Sequence, residues 1–101
     1  LMSILCMNAV LDSSTELDQV ETLVLVVLAQ YADDDGGNCW PSQQTIAAKA
    51  RVTPRGVRNV LSRLTARGLI SVVAEPTAKR SARYQIHLER FARSAHDRAS
   101  R

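Results

Sequence analysis

The sequence predicts an α+β fold that is mainly α-helical and ends in a pair of β-strands. Helical spacing of apolar residues, together with helix start and stop signals, covers most of residues 18–67. Two short segments typical of strands, 69–74 and 83–88, follow. The length of 101 residues and the hydrophobic fraction of 46% are those of one globular domain.

The first predicted helix begins at Asp18. Its carboxylate can accept from the N–H groups of the first turn while Glu21 reaches back, which is a capping box with Asp in place of Ser. Apolar residues continue at helical spacing through Tyr31 and fill other faces as well, so the helix needs cover on more than one side. The apolar segment from Ile4 to Leu11 can supply that cover, or a second subunit can.

The two helices that follow have clearer ends. Ser42 is expected to cap a helix at residues 43–50, and Thr53 a helix at residues 54–67, which Gly68 ends. A connection of three or four residues between two such helices is the helix-turn-helix arrangement. With the strand pair directly behind it, the sequence predicts a winged helix-turn-helix: a three-helix core with a C-terminal two-stranded β-hairpin wing.

Charge is divided unevenly along the chain. Residues 1–48 contain seven acidic residues and no Lys or Arg, whereas residues 49–101 contain all 13 basic residues and three acidic ones. The formal charges of the two parts are therefore −7 and +10, which together give the net charge of +3. The basic part is expected to bind a polyanion.

The predicted helix at residues 54–67 has one apolar face and one polar face. The residues expected to contact DNA bases are Arg55, Arg58, Asn59 and Ser62. Arginine can pair with guanine O6 and N7, and asparagine with adenine N6 and N7, so this face suits a major groove. No acidic residue lies between Val52 and Val73, although a surface helix built for stability normally interleaves Glu with its basic residues.

A second set of residues is expected to contact the DNA backbone, from helix N-termini and from the wing. These residues are Ser42, Gln43, Thr53, Arg63, Lys79, Arg80 and Arg83. Basic side chains on a hairpin loop suit phosphates or a minor groove. Trp40 is the chain's only tryptophan, and we expect it to pack under the hairpin rather than to stack on bases.

Other function classes find little support. No GxSxG, P-loop or paired-carboxylate motif occurs, so we expect no enzyme, no cofactor and no small-molecule substrate. His87 and His96 lack partners at ligand spacing, so no metal is expected. Cys6 and Cys39 are interpreted as free thiols in a reducing cytoplasm, and the longest apolar run, Leu23 to Ala29, is too short to span a membrane.

Several motifs between Leu23 and Leu88 occur together. They are an acidic-Gly loop followed by CWPS at 39–42, TIA at 45–47, VTPRGVR at 52–58 and LTARGLI at 64–70. In this combination the chain resembles the winged helix-turn-helix domain of phage, plasmid and bacterial replication and regulatory proteins. The resemblance implies double-stranded DNA binding through the third helix, often as the N-terminal DNA-binding part of a longer protein.

The sequence departs from that family at two positions. Arg51 stands where the family usually has Gly in the bend, and a left-handed conformation there costs a non-glycine residue about 1 kcal/mol. Gly56 lies inside the recognition helix at a cost of about 0.8–1 kcal/mol relative to Ala. A glycine there can let a phosphate or a base approach closely.

The sequence thus predicts a sequence-specific double-stranded DNA-binding protein, a phage-type or bacterial-type transcriptional regulator or repressor. Helix 54–67 would enter the major groove, and the wing at 75–83 would contact the backbone or minor groove. The DNA-binding domain of a replication initiator is one alternative. A winged-helix protein–protein module that docks on an acidic partner is the alternative from another class.

The predicted domain organisation has three parts: an apolar N-terminal segment (1–17), the winged helix-turn-helix domain (18–88) and a basic polar tail (89–101). The excess apolar surface of the first part and of the first helix predicts a homodimer. Such a dimer would bind a pseudo-palindrome with half-sites about 34–36 Å apart.

Overall fold

The computed structural model describes residues 3–91, and within them four helices precede a two-stranded antiparallel sheet. This confirms the α+β, mainly α-helical, winged helix-turn-helix prediction. The elements are α1 (Ile4–Leu11), α2 (Gln19–Tyr31), α3 (Gln43–Ala50), α4 (Pro54–Ala66), β1 (Ile70–Ala74) and β2 (Arg83–Ile86), followed by a 3-10 helix at Leu88–Arg90.

The helix starts lie where the capping residues predict them. Asp18 Oδ1 accepts from the Glu21 N–H at 2.7 Å, and the Asp18 N–H donates to Glu21 Oε1 at 2.9 Å, so the capping box of α2 is complete. Ser42 and Thr53 each accept from the N–H of the third residue of α3 and α4, at 3.0 Å in both cases. Local hydrogen bonds between neighbouring residues therefore set all three starts.

The N-terminal apolar segment forms α1, which packs on α2. Ser3 caps it by accepting from the Cys6 N–H at 3.0 Å, and Cys6 and Val10 are buried. α1 thus covers α2 but brings apolar surface of its own. The large apolar side chains left exposed on these two helices are Ile4 (65%), Leu5 (60%), Leu11 (58%) and Leu23 (43%).

The core lies where α2, α3 and α4 meet the inner face of the sheet. Its largest fully buried aliphatic side chains are Leu25, Leu28, Ile46, Leu64, Ile70 and Ile86. Phe91 is also buried, so the folded body extends into the predicted tail. Residues 92–101 of that tail lie outside the described residues.

Left-handed residues end both helices of the helix-turn-helix. Arg51 ends α3 at φ 61°, and Gly68 follows α4 at φ 76°. In both cases the next residue donates its N–H to the carbonyl five residues back, at 3.1 and 3.0 Å. The same turn geometry thus has Gly68 after α4 and Arg51 after α3. At Arg51 the Cβ atom makes the left-handed conformation unfavourable.

The wing is attached to the body on both sides of β2. β1 pairs with β2 in a register that places Ile70 opposite Ile86, with an irregularity between Val72 and Ala74. On its other side, β2 forms an antiparallel bridge with Cys39, in which the Tyr84 N–H donates to the Cys39 carbonyl at 2.7 Å. The strands are shorter than predicted because Leu69 is used to close α4 and the chain after Ile86 turns into the 3-10 helix.

We predict that Arg51→Gly raises the free energy of unfolding by about 1 kcal/mol, because glycine adopts the left-handed conformation without the Cβ penalty. Urea unfolding followed by circular dichroism measures this change. Arg51→Ala is the matched control: it removes the same side chain, keeps the Cβ atom and should bring no such gain. Equal effects of the two substitutions would contradict the assignment of strain to this residue.

Candidate nucleic-acid interface

α4 presents four polar side chains on its outer face. Val57, Val60 and Leu64 point into the core, which fixes the rotation of the helix. The residues predicted to contact bases, Arg55, Arg58, Asn59 and Ser62, are all exposed. Among the described residues none of the four has an ion pair or a side-chain hydrogen bond. Their donors and acceptors are therefore available to a partner.

The other two arginines, Arg63 in α4 and Arg67 at its C-cap, form contacts with residues of α2 and of the segment before it. Arg63 lies 3.4 Å from Glu21 Oε2 and 3.6 Å from Asp18 Oδ2. Arg67 lies 3.6 Å from Glu21 Oε1 and donates to the Glu16 carbonyl at 2.7 Å. Glu21 is only 6% exposed, and a buried carboxylate of this kind needs such partners.

These contacts change the interpretation of the basic helix. The absence of acids within residues 52–73 supported a DNA-binding face, but Glu21 on the neighbouring helix α2 takes the place of same-helix Glu. Arg63, which we expected to contact phosphate, lies close to the carboxylates of Asp18 and Glu21. Sequence spacing within one helix does not show pairing between helices, so this arrangement was missed.

The wing loop presents Lys79 and Arg80. Thr77 Oγ1 accepts from the N–H groups of Lys79 and Arg80 at 3.2 and 3.1 Å, and the Thr77 N–H donates to the Arg80 carbonyl at 2.9 Å. This tight turn leaves both basic side chains exposed. The loop therefore holds two positive charges at the end of the hairpin.

Arg83 behaves differently from the loop residues. It is half-buried, and its guanidinium carbon lies 4.5 Å from the centre of the Trp40 ring. We expected Trp40 to pack under the hairpin, but its side chain is 43% exposed and lies beside the hairpin. The two side chains form a cation–π pair at the edge of the wing.

The residues at the N-terminus of α3 and α4 have structural contacts as well. Ser42 Oγ caps α3 and lies 2.9 Å from Thr45 Oγ1, whereas Thr53 caps α4 and is exposed. Gln43 lies beside Tyr84, and burial raises the pKa of Tyr84 above its ordinary value, an effect that the Gln43 side chain partly offsets. The tyrosine is therefore neutral at physiological pH.

Gly56 belongs to the first turn of α4. A Cβ atom added to it would lie 3.3 Å from Thr53 Oγ1, the atom that accepts the Gly56 N–H. Glycine thus leaves room for the cap. The close approach to DNA suggested by the sequence remains a prediction.

A groove runs between α4 and the wing. Arg58 and Ser62 line it from the helix, and Val72, Glu75 and Tyr84 line it from the hairpin. Glu75, one of the three acidic residues of the basic half, is exposed at the start of the wing. Its charge disfavours a phosphate at this point, so the backbone should approach the wing nearer its basic loop.

The sequence model of the helix-turn-helix domain matches residues 15–70, which is more than half of the chain. The chain belongs to the helix-turn-helix domain family. The match spans α2, α3 and α4 and ends at the first residue of β1, so the wing lies beyond it. Membership in this family supports binding to double-stranded DNA.

Comparison with curated proteins and with solved structures finds no match. None of the helices between residues 3 and 91 has the length and hydropathy that a membrane span requires. In the same part of the chain, His, Cys, Asp and Glu side chains form no cluster of three or more suited to a metal ion.

We predict that Glu21→Gln lowers the free energy of unfolding by about 1–2 kcal/mol. The amide cannot balance two arginines, whose partial exposure keeps the loss below that of a fully buried ion pair. Glu16→Gln removes an equal but exposed charge and keeps the carbonyl that binds Arg67, so its effect should stay within about 0.5 kcal/mol. Chemical denaturation measures both, and equal losses would refute the role given to Glu21.

Proposed function

We propose that this protein is a sequence-specific double-stranded DNA-binding transcriptional regulator, with α4 in the major groove. The observation that carries the proposal is the division of arginines on one helix. Arg63 and Arg67 bind α2, whereas Arg55 and Arg58 face outward together with Asn59. An exposed face of Arg and Asn side chains that have no partner within residues 3–91 has the donor and acceptor pattern that base edges require.

The position of these residues along α4 supports base contact. Recognition helices touch bases mainly through their N-terminal turns, and Arg55 lies in the first turn, with Arg58 and Asn59 in the second. Ser62 lies one turn further and extends the same face. We assign base contacts to these four residues.

Backbone contacts are assigned to the edges of this face. Lys79 and Arg80 on the wing suit phosphates or a minor groove, and Thr53, Ser42 and Gln43 lie at helix N-termini that favour anions. Arg63 is left out of the proposed contacts because two carboxylates share its guanidinium.

The regulator proposal and its alternatives differ in the partner. The DNA-binding domain of a replication initiator would use the same face, and the identity of the target site distinguishes the two roles. A protein–protein module would bind an acidic protein and show no base preference. A DNA partner and two buried free thiols fit a reducing cytoplasm.

Selection from a random duplex library at about 150 mM salt tests the proposal, because weak non-specific binding is suppressed at that ionic strength. We expect an enriched motif. Arg55→Ala should then remove discrimination at one base pair, about 1–3 kcal/mol, in anisotropy titrations with single-substituted duplexes. Lys79→Ala should weaken all duplexes alike and reduce the salt slope by about 1.

Two results would overturn these assignments. A library without enrichment would remove sequence-specific recognition and favour non-specific or protein binding. Equal weakening of every duplex by both Arg55→Ala and Lys79→Ala would remove the base contact assigned to Arg55.

We further propose a homodimer formed through the exposed faces of α1 and α2. Four large apolar side chains, which are 43–65% exposed, lie on these adjacent helices. Large exposed apolar side chains on adjacent helices favour an interaction site, and a two-fold dimer is the commonest closed assembly. The acidic part of the chain carries this face, so it does not compete with the basic DNA face.

We predict that the protein sediments as a dimer at micromolar concentration and that Leu5→Ser with Leu11→Ser shifts it to a monomer. Val73→Ser is the matched control, since Val73 is an apolar residue of the wing with 55% exposure. Analytical ultracentrifugation gives both masses. A monomeric wild-type protein, or equal dissociation by the control, would contradict this interface.

A further inference from the structure

Trp40 and Arg83 meet because Cys39 is paired with Tyr84. The Tyr84 N–H donates to the Cys39 carbonyl at 2.7 Å, and both of these side chains are buried on the inner face of the sheet. Side chains alternate along extended backbone, so the neighbouring residues Trp40 and Arg83 share the outer face. Their contact at 4.5 Å is thus fixed by backbone pairing.

The pair leaves part of each side chain available. Arg83 Nε is buried and has no hydrogen-bond partner within residues 3–91. The two terminal nitrogens of the guanidinium also have no partner there, but they are not buried. The indole is still 43% exposed. The planar guanidinium carries its N–H groups in a fixed fork that suits phosphate, so the N–H groups that the indole does not cover can bind one.

Positive charge converges on one cleft beside this pair. The cleft lies between the indole and the wing loop, and we call it the Trp40 cleft. Its charged residues are Lys79, Arg80, Arg83 and Glu75, and Thr77 and Ser81 add hydroxyl groups. Three positive charges against one negative charge favour an anion in this cleft, whose wall is aromatic.

The surface beside Trp40 continues towards α3. Trp40 also lines a neighbouring pocket with Asn38, Ser42 and Thr45, at the N-terminus of that helix, and with the acidic residue Asp33. The indole therefore stands between two elements that carry donors for a phosphate backbone, the wing loop and a helix N-terminus. A strand of DNA lying along both would pass over Trp40.

We propose that the Trp40 cleft binds a phosphate and deoxyribose of the DNA backbone, outside the base pairs that α4 contacts. Arg83 binds the phosphate with help from Lys79 and Arg80, and the exposed part of the indole lies against the sugar. Trp40 is a positioning residue that orients Arg83. The inference rests on the proposed DNA-binding function and adds a sequence-independent contact to it.

The test uses the only tryptophan of the chain as a reporter. Wild-type protein is titrated with a labelled duplex while anisotropy and tryptophan emission are recorded together, and in a second arm with inorganic phosphate at matched ionic strength. We expect emission to change in step with duplex binding and to stay constant with phosphate alone. Raising the salt concentration should reverse both signals together.

Variants test the pairing of the two side chains. We expect Trp40→Ala and Arg83→Ala each to weaken all duplexes about fivefold without altering base preference, and the double variant to weaken them no further. Arg83→Ala should also reduce the salt slope by about 1. Trp40→Phe should restore most of the affinity, and Val73→Ser, on the same hairpin but outside the cleft, should leave it unchanged. Thermal unfolding checks that each variant is folded. If Trp40→Ala does not fold, Arg83→Lys replaces it as a test, because lysine keeps the positive charge but lacks the forked N–H groups and should also weaken all duplexes.

The outcomes separate the two proposals. Duplex binding with unchanged emission and undiminished affinity in Arg83→Ala would overturn the Trp40 cleft and leave the proposed function standing. Saturation of the emission change by inorganic phosphate, without an effect of duplex, would overturn the assignment to DNA and indicate a free-phosphate site. A wild-type protein that binds no duplex would overturn the proposed function itself.

Discussion

The position of the recognition helix depends on one buried carboxylate. Glu21 completes the cap of α2 through Asp18 and, with the same side chain, binds Arg63 and Arg67 at the far end of α4. Removing the carboxylate would leave Arg67 without a carboxylate partner within residues 3–91 and Arg63 with Asp18 alone, which is why the contact constrains the packing of both helices. Because the pairing uses the inner arginines of α4, it also determines which arginines remain for a partner.

The uneven charge of the sequence separates the basic residues of the fold into two groups, those that pair with acids and those that do not. Asp18 and Glu21 of the first part neutralise Arg63 and Arg67, whereas Arg55 and Arg58 on the outer side of α4 and Lys79 and Arg80 on the wing loop have no acidic partner within residues 3–91. Arg83 is an intermediate case, since an aromatic ring rather than a carboxylate holds it. The positive surface is thus smaller and better ordered than a count of basic residues suggests, which favours recognition over a diffuse polyanion-binding patch.

The sequence was sufficient to predict those features of the fold that depend on residues close together in the chain. Asp18, Ser42 and Thr53 act within three residues of their partners, so the helix starts and the helix-turn-helix were predictable. The partners of Arg63 and Arg67 and the contact of Arg83 with Trp40 were not. Those contacts join residues far apart in sequence and depend on how α4 crosses α2 and how β2 aligns with Cys39, which periodicity does not show.

The central claim is that the outer face of α4 and the wing loop together form the DNA-binding surface. An amide chemical-shift titration of isotopically labelled protein with a selected duplex tests it most directly, since each residue reports separately. The largest changes should fall on residues 55–62 and 77–83, with the outer face of α1 unaffected. Largest changes on α1 and the exposed side of α2, with α4 unchanged, would contradict the claim.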